Sequence, residues 1–191
     1  RDTDRSRGLG DVYKRQFGKE THSLKILVVS DTHRNFAVLD DIVNENLDAD
    51  LIIHLGDGEN EARDIHNLHP EKPMIYVAGN CDYGMHRSKE IVTVSGYKIF
   101  CCHGHNQNVH AGLEELVEEA KQNDCKIALY GHTHLHRTEV IDGVYVMNPG
   151  SPDSPRNHTE PSYGIINISS DGEIRMSLMK VKKSAEPDNN A

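Results

Sequence analysis

The feature of the sequence that most constrains its fold is a repeated pairing of a short apolar strand with a polar side chain. Five predicted strands are each followed by a side chain that can bind a cation, at Asp31, Asp57, Asn80, His103 and His132. In open α/β sheets, ligands bind beyond the carboxyl ends of the strands. We therefore expect these five side chains to meet in one crevice.

The order of the apolar runs predicts an α/β fold. Short runs typical of buried strands alternate with two amphipathic helical patterns. The strand-like runs cover residues 26–29, 51–53, 74–78 and 127–130, and the helical patterns cover 36–47 and 113–120. From residue 90 onward the pattern changes to hairpins, with turns at Ser95-Gly96, Asp142-Gly143 and Asp171-Gly172. The sequence predicts two mixed sheets flanked by helices.

Length, charge and cysteine usage exclude several classes of protein. The 191 residues fit one domain of ~100–200 residues. A formal net charge of -9 disfavours a stable nucleic-acid complex, because binding to phosphate backbones needs positive charge. Every apolar run is far shorter than the ~18 residues that span a bilayer. The short runs therefore predict no membrane partner. The four cysteines form no C-x-x-C pair, which favours a cytoplasmic protein.

Both ends of the sequence are predicted to lie outside the folded domain. Residues 1–23 are polar and aperiodic, and no methionine precedes Met74, so we interpret this segment as a non-native or disordered N-terminal tail. Residues 184–191 are small, polar and charged, which predicts a flexible C-terminal tail. The domain then covers residues 24–183.

Two further histidines, His33 and His134, extend the set of candidate ligands. The seven candidates are Asp31, His33, Asp57, Asn80, His103, His132 and His134. A catalytic zinc takes about three protein ligands, so seven predict two cations. If Asp57 bridges them, the cations lie ~3.5–4 Å apart, the separation that suits displacement at phosphorus. Oxygen and imidazole donors suit Mn, Fe, Zn, Ni or Co and do not choose among them.

Five motifs resemble, in order and spacing, the signature of calcineurin-like metallophosphoesterases. They are Asp31-Thr-His33, Gly56-Asp57, Gly79-Asn80, His103-Gly-His105 and Gly131-His132-Thr-His134. Two more, Gly79-Asn80-Cys81-Asp82 and Asn148-Pro149-Gly150-Ser151, are similar to the small YfcE-type phosphodiesterase subfamily. The resemblance covers about residues 24–182. It implies a four-layer α/β/β/α sandwich, two divalent cations with Mn as the first candidate, and hydrolysis of a phosphodiester.

The resemblance also implies a role for each site residue. The first cation would be held by Asp31, His33, Asp57 and His134, and the second by Asp57, Asn80, His103 and His132. A hydroxide held by both cations would attack phosphorus in line. The predicted catalytic residues are Asp57, Asn80 and His105, and the predicted substrate contacts are Arg34, Asn35, His105 and Arg156.

One position departs from the wider superfamily. Many relatives have a histidine directly after the metal-binding asparagine, where it can protonate the departing oxygen, and this chain has Cys81. A poor alcohol leaving group would then lack its usual acid.

Two alternative functions stay open at this point. A phosphomonoesterase or a nucleotide pyrophosphohydrolase would use the same ligands. A non-catalytic protein-binding scaffold is the alternative of another class, because the retromer subunit of this fold looks similar and has a degraded metal site. The complete ligand set favours the enzyme. We expect a small-molecule or nucleotide phosphodiester as substrate, and exposed strand edges make a homodimer a candidate state.

Overall fold

The structure is a computed structural model that describes residues 23–84 and 86–182. The two predicted tails, 1–23 and 184–191, lie outside the described residues apart from Ser23. The strands are β1 (Leu24–Val29), β2 (Leu51–His54), β3 (Met74–Tyr76), β4 (Lys89–Val94), β5 (Tyr97–Cys102), β6 (Ile127–Leu129), β7 (Arg137–Ile141), β8 (Val144–Asn148), β9 (Ser162–Ile168) and β10 (Ile174–Lys180). The α-helices are α1 (Phe36–Glu45), α2 (Glu59–Leu68) and α3 (Glu114–Gln122), and residues His105–Gln107 form one 3-10 turn.

The strands form two mixed five-stranded sheets, as the sequence predicts. The first sheet has the order β10-β9-β1-β2-β3, and the second has the order β4-β5-β6-β8-β7. In each sheet three neighbouring strands are parallel, β1-β2-β3 in the first and β5-β6-β8 in the second. Three hairpins supply the antiparallel pairs β4-β5, β7-β8 and β9-β10, and β9 also pairs antiparallel with β1.

Strand β1 shows why the central strands are apolar throughout. Ile26 and Val28 pack between the two sheets, whereas Leu27 and Val29 pack against α1 and α2 on the outer face. Both faces of the strand are buried, so a continuous apolar run replaces the alternation of a half-exposed strand. Helix α3 covers the outer face of the second sheet. The four-layer α/β/β/α architecture is therefore confirmed.

The helices follow the predicted faces, with two differences. Helix α1 buries Leu39, Ile42 and Val43 but ends at Glu45, so Leu47 is exposed. Helix α2 was not predicted as a separate element. Its inner face has only two apolar residues, Ala62 and Ile65, beside the buried Glu61.

The carboxyl ends of the parallel strands are tied together by backbone hydrogen bonds. The N–H of Asp31 donates to the carbonyl of Gly56 at 3.0 Å, and the N–H of Gly131 donates to the carbonyl of His103 at 2.9 Å. The N–H of His132 donates to Asp31 Oδ2 and joins the two pairs of loops, so the loops after β1, β2, β5 and β6 share one edge of the sandwich. Among the residues that the structure describes, no helix is long and apolar enough to cross a bilayer.

We expect Leu116→Ala to lower the free energy of unfolding by ~2–5 kcal/mol, because it removes a fully buried side chain from the interface between α3 and the second sheet. Leu68→Ala on α2 is the matched control, since that side chain is 59% exposed. The control should change stability by less than about 0.5 kcal/mol. Urea denaturation followed by circular dichroism measures both. Equal losses in the two variants would contradict this packing.

Candidate metal centre

The candidate ligands converge on two carboxylates, Asp31 and Asp57, that follow the neighbouring strands β1 and β2. Three imidazole Nε2 atoms surround Asp31 Oδ1, at 3.3 Å for His134 and 3.9 Å for both His33 and His103. Asp57 Oδ2 lies 3.5 Å from His103 Nε2 and 3.9 Å from His33 Nε2. The predicted crevice at the strand ends is present.

Asn80 and His132 border the same crevice on the side of His103. Asn80 Oδ1 lies 3.1 Å from His103 Nε2, and the ring centroids of His132 and His103 are 5.1 Å apart. The backbone N–H of His132 donates to Asp31 Oδ2 at 3.0 Å. All seven predicted ligands thus lie together, and their division between two cations stays a prediction.

Within residues 23–84 and 86–182, three groups of His, Cys, Asp or Glu side chains have ligand atoms within 4.8 Å of one another. They are Asp31–His33–His134, His33–Asp57–Cys81 and Asp31–Asp57–His103. The first group falls within the set that the resemblance implies for the first cation. The third combines residues of both predicted sets. The second adds Cys81, which the sequence analysis associated with the leaving group.

Asp31 Oδ1 tests whether a cation fits this site. The atom is buried, and no described residue donates a hydrogen bond to it. Burial raises the pKa of Asp31, but His134 and His103 outweigh burial, so the pKa lies below its usual range. An ionised, buried carboxylate oxygen without a donor is unfavourable unless a positive charge faces it. The donor set of carboxylates and imidazoles therefore fits divalent cations.

Two of the histidines are oriented by backbone carbonyls. His103 Nδ1 lies 2.7 Å from the carbonyl of Leu55, and His134 Nδ1 lies 2.6 Å from the carbonyl of Ser154. Each Nδ1–H donates to its carbonyl, which directs the Nε2 atom toward the carboxylates. This is the arrangement by which outer partners orient metal-binding imidazoles.

The pKa values of two further histidines follow from burial and neighbouring rings. Burial, together with the nearby His103 and His110, lowers the pKa of His132 to about 4. Burial and His103 also lower the pKa of His105. Both rings are therefore neutral at pH 7, the form in which imidazole binds a metal or accepts a hydrogen bond.

The loops around the site have a constrained backbone. Five of the seven candidate ligands have positive φ angles: Asp31 (56°), His33 (44°), Asp57 (55°), His132 (66°) and His134 (59°). Gly56 also has a positive φ, of 102°, and a Cβ there would lie 2.6 Å from the nitrogen of Gly79. A Cβ on Gly79 would lie 2.0 Å from Asp57 Oδ1. These two glycines precede the ligands Asp57 and Asn80 because the two loops approach too closely for a side chain.

A buried polar chain supports the loop after β1. His54 Nδ1 accepts from the N–H of Gly56 at 3.2 Å, so its Nε2–H faces the Thr32 hydroxyl at 3.1 Å. That hydroxyl donates to Glu61 Oε1 at 3.1 Å, and the same oxygen accepts from the N–H of Arg34. His54 is thus a fully buried histidine whose two ring nitrogens both have partners. Glu61 was missed, since nothing in its local pattern separates it from a solvated helical glutamate.

Asp82 is a second supporting residue that the sequence analysis did not assign to the site. Its carboxylate accepts hydrogen bonds from four backbone N–H groups and from the Tyr76 hydroxyl. Burial raises the pKa of Asp82, but the hydroxyl of Tyr76 and the N–H groups of Gly79 and Asp57 outweigh it, so the pKa lies below its usual range. Its only sequence signal is its place in the Gly79-Asn80-Cys81-Asp82 motif.

The four predicted substrate contacts differ in their exposure and in the hydrogen bonds they already form. Arg34 is exposed and lines a cavity of about 330 Å³ beside Asp57 and Cys81. Arg156 is exposed near His134, whose carbonyl lies 3.4 Å from the Arg156 N–H.

The other two predicted contacts, Asn35 and His105, differ in their partners. The Asn35 side chain accepts from the N–H of Val38 as the N-cap of α1, and donates to Asp153 at 2.6 Å. It therefore has a structural role. His105 Nδ1 is buried and has no described hydrogen-bond partner. Its ring centroid lies 5.5 Å from that of His103. All four substrate roles stay predictions.

His110 and Cys81 complete the rim of the site. The His110 ring lies 4.8 Å from that of His132. Cys81 is exposed, and its N–H donates to Asp57 Oδ1 at 2.8 Å. Burial and the Asp57 carboxylate raise the pKa of the Cys81 thiol to about 11, so the thiol is protonated at pH 7.

Comparisons with known proteins agree with this geometry. A sequence profile of the calcineurin-like phosphoesterase superfamily domain matches residues 24–171. The probable metallophosphoesterase YsnB of Bacillus subtilis is 32% identical over 151 residues, which is 78% of this chain and 86% of that protein. A phosphodiesterase of Methanocaldococcus jannaschii is 29% identical over 147 residues, 66% of this chain and 83% of that protein.

Among solved structures, a variant of Vps29 from Entamoeba histolytica has a TM-score of 0.66 and 22% sequence identity. The match covers 83% of this chain and 100% of that one. At this level of identity the similarity shows the shared fold alone.

We expect acidification from pH 6.5 to pH 4 to lower the free energy of unfolding through His54. Burial, partly offset by Asp31 and Asp82, lowers the pKa of His54 from 6.5 to about 4 in the folded protein. Between these values only the unfolded chain binds the proton, so stability falls as the pH falls, by about 3 kcal/mol for this group. Urea titrations at several pH values, in chelator, measure the slope.

His54→Asn should flatten this pH dependence, because the substitution removes the ionisable ring. His158→Asn is the control, since His158 is exposed, and it should leave the slope unchanged. A slope in His54→Asn as steep as in wild type would show that other groups are responsible.

Proposed function

The chain belongs to the calcineurin-like phosphoesterase superfamily, and from this membership and the geometry of its site we propose that it is a metal-dependent phosphodiesterase. The observation that carries the proposal is Asp31 Oδ1, a buried acceptor that no described residue satisfies and that three imidazole Nε2 atoms surround. A chain that used this fold only as a scaffold would need neither the complete set nor the open acceptor. The comparisons support the family, and the reaction is our proposal.

We assign the ligands as the family resemblance implies. Asp31, His33, Asp57 and His134 would hold one cation, and Asp57, Asn80, His103 and His132 would hold the other. The carboxylate oxygens of Asp31 and Asp57 face imidazole Nε2 atoms, as cation binding requires, and the division between the two cations follows the family resemblance. Mn is the first candidate, with Ni, Fe, Zn and Co as alternatives, because the donors are oxygen and imidazole.

The protein's own groups position the phosphodiester. The chemistry that two bound divalent cations would supply is a lowered pKa of a water molecule and charge stabilisation of the attacking and leaving oxygens at phosphorus. The exposed Arg34 and Arg156 flank the crevice, and a guanidinium suits bidentate contact with phosphate oxygens. His105, with its free Nδ1, is the proposed third contact. Catalysis then depends mainly on geometry and on charge stabilisation.

The residue after Asn80 bears on the choice of substrate. Cys81 holds a proton with a pKa of about 11, which makes it a weak acid for a departing alkoxide at pH 7. A substrate with an acidic leaving group needs no such acid. We therefore propose a small-molecule or nucleotide phosphodiester as substrate, in a cytoplasmic setting that keeps the described cysteines free.

The proposed function predicts that protein stripped by a chelator and reloaded with Mn²⁺ hydrolyses bis-p-nitrophenyl phosphate. Asp57→Asn and His103→Ala should each lose more than the ~10–100-fold that removal of an outer-shell partner costs, because each removes a ligand. The absorbance of the released nitrophenolate measures the rate.

Two exposed residues of α2 provide matched controls for these variants. Asp64→Asn and His66→Ala make the same chemical changes away from the site and should keep the wild-type rate. A wild-type protein that binds Mn²⁺ but hydrolyses neither diesters nor monoesters with any of the five metals would favour the scaffold function. Retained activity in Asp57→Asn would overturn the ligand assignment.

We also expect diesters with acidic leaving groups to be hydrolysed faster than alkyl monoesters, because no histidine follows Asn80 to protonate a poor leaving group. A series of phenyl and alkyl phosphates, with leaving groups of graded pKa, measures this preference as kcat/KM. Rates that do not depend on the pKa of the leaving group would show that another residue supplies the proton. Comparable rates on diesters and monoesters would favour the monoesterase alternative.

A further inference from the structure

The carboxylate of Asp82 joins the two loops that carry Asp57 and Asn80. Its Oδ2 accepts from the backbone N–H of Asp57 (2.8 Å), the backbone N–H of Gly79 (2.7 Å) and the hydroxyl of Tyr76 (2.5 Å). Its Oδ1 accepts from the backbone N–H groups of Gly58 (3.2 Å) and Glu59 (3.1 Å). Five donors thus surround one carboxylate, and they belong to two separate segments of the chain.

This carboxylate also caps helix α2 from outside the helix. Gly58 is the N-cap residue and has no side chain with which to satisfy the first N–H groups. Asp82 accepts from Gly58 and Glu59 in its place, and its negative charge lies at the positive end of the helix dipole. An N-cap contact of this kind stabilises the first turn of a helix. The start of α2, which directly follows Asp57, is therefore anchored to the loop after β3.

A second hydrogen bond runs between the same loops in the opposite direction. The N–H of Cys81 donates to Asp57 Oδ1 at 2.8 Å. A carboxylate from each loop thus accepts hydrogen bonds from backbone N–H groups of the other loop. With Oδ1 held in this way, Asp57 directs Oδ2 toward the histidines, at 3.5 Å from His103 Nε2.

Asn80 lies between two anchored positions, Gly79 and Asp82. The Gly79 N–H is bonded to Asp82, and the neighbouring Cys81 N–H is bonded to Asp57. The Asn80 residue is exposed, and its side chain forms hydrogen bonds with His103 and Cys81. Its position therefore depends on the backbone on either side of it.

We infer that Asp82 is a positioning residue that sets the spacing between Asp57 and Asn80, and through it the position of the second cation. The inference rests on the ligand set of the proposed function. Asp82 itself is not a ligand, because both of its oxygens are directed at backbone N–H groups. The first cation would depend less on Asp82, since Asp31, His33 and His134 lie on other loops.

The test is a titration of chelator-stripped protein with Mn²⁺, by calorimetry and by electron paramagnetic resonance, on wild type and Asp82→Asn. The asparagine replaces one acceptor oxygen with an amide that cannot accept from N–H groups. We expect the second binding step to weaken by at least about tenfold, in the range found for outer-shell partners, and by more than the first step. The spectrum of the exchange-coupled pair should be lost while the signal of a single ion remains.

Asp64→Asn on α2 is the control for the loss of one charge and should bind both ions as wild type does. Tyr76→Phe removes one donor and leaves four, so it should weaken the second step in the same direction by a smaller factor. This milder variant decides the question if Asp82→Asn does not fold, and an unchanged second step in it would then overturn the inference.

The outcomes separate this inference from the proposed function. A wild type that binds two ions and hydrolyses diesters, with both steps unchanged in a folded Asp82→Asn, overturns the role of Asp82 alone. Equal weakening of both steps overturns it as well, because that result indicates a general structural defect. A wild type that binds fewer than two ions overturns the ligand set and this inference together.

Discussion

Two buried carboxylates at the ends of neighbouring parallel strands are the constraint on which the rest of this site depends. Asp31 is 0% exposed and Asp57 is 4% exposed, so neither is stabilised by bulk water. Like charges that share a buried site repel each other and stay ionised only when donors or cations surround them. Backbone N–H groups reach Asp31 Oδ2 and Asp57 Oδ1, and the oxygens left over face imidazoles. The loops of both sheets supply the N–H groups and imidazoles that face these carboxylate oxygens.

The loops that surround these carboxylates contain residues in the left-handed backbone conformation, which is unfavourable in the absence of other interactions. A left-handed conformation in a non-glycine residue costs about 1 kcal/mol or more, and it occurs at Asp31, Asp57 and three of the histidine ligands. Two further acids hold the strained segments in place. Glu61 accepts from Thr32 and Arg34 in the loop after β1, and Asp82 accepts from the start of α2. The site therefore has an inner pair of carboxylates that face the crevice and an outer pair that face the backbone.

This division explains how far the sequence could predict the structure. The inner pair and the histidines follow apolar strands directly, so the periodicity that predicts the strands also places these ligands. The outer pair carries no such signal. Asp82 bonds to residues about 25 positions earlier in the chain, and Glu61 to Thr32 across 29 positions, and no local pattern reports contacts of that separation. Helix α2 was missed for a related reason, because Glu61 occupies an inward position where the helical pattern requires an apolar residue.

The same constraint separates an enzyme from a scaffold on a shared fold. The similarity to Vps29 extends over the sheets and helices, and a fold by itself does not determine function. A scaffold could replace Asp31 with an apolar residue and relax the loops after β1 and β6, which would remove an unsatisfied buried oxygen and two or more strained residues. This chain retains all of them, together with the outer acids that hold them. Strain of this kind persists where the surrounding structure over-determines it, as at catalytic sites. The pair of divalent cations that we propose would account for it, because their positive charge would satisfy Asp31 Oδ1 while the surrounding imidazole Nε2 atoms bound them.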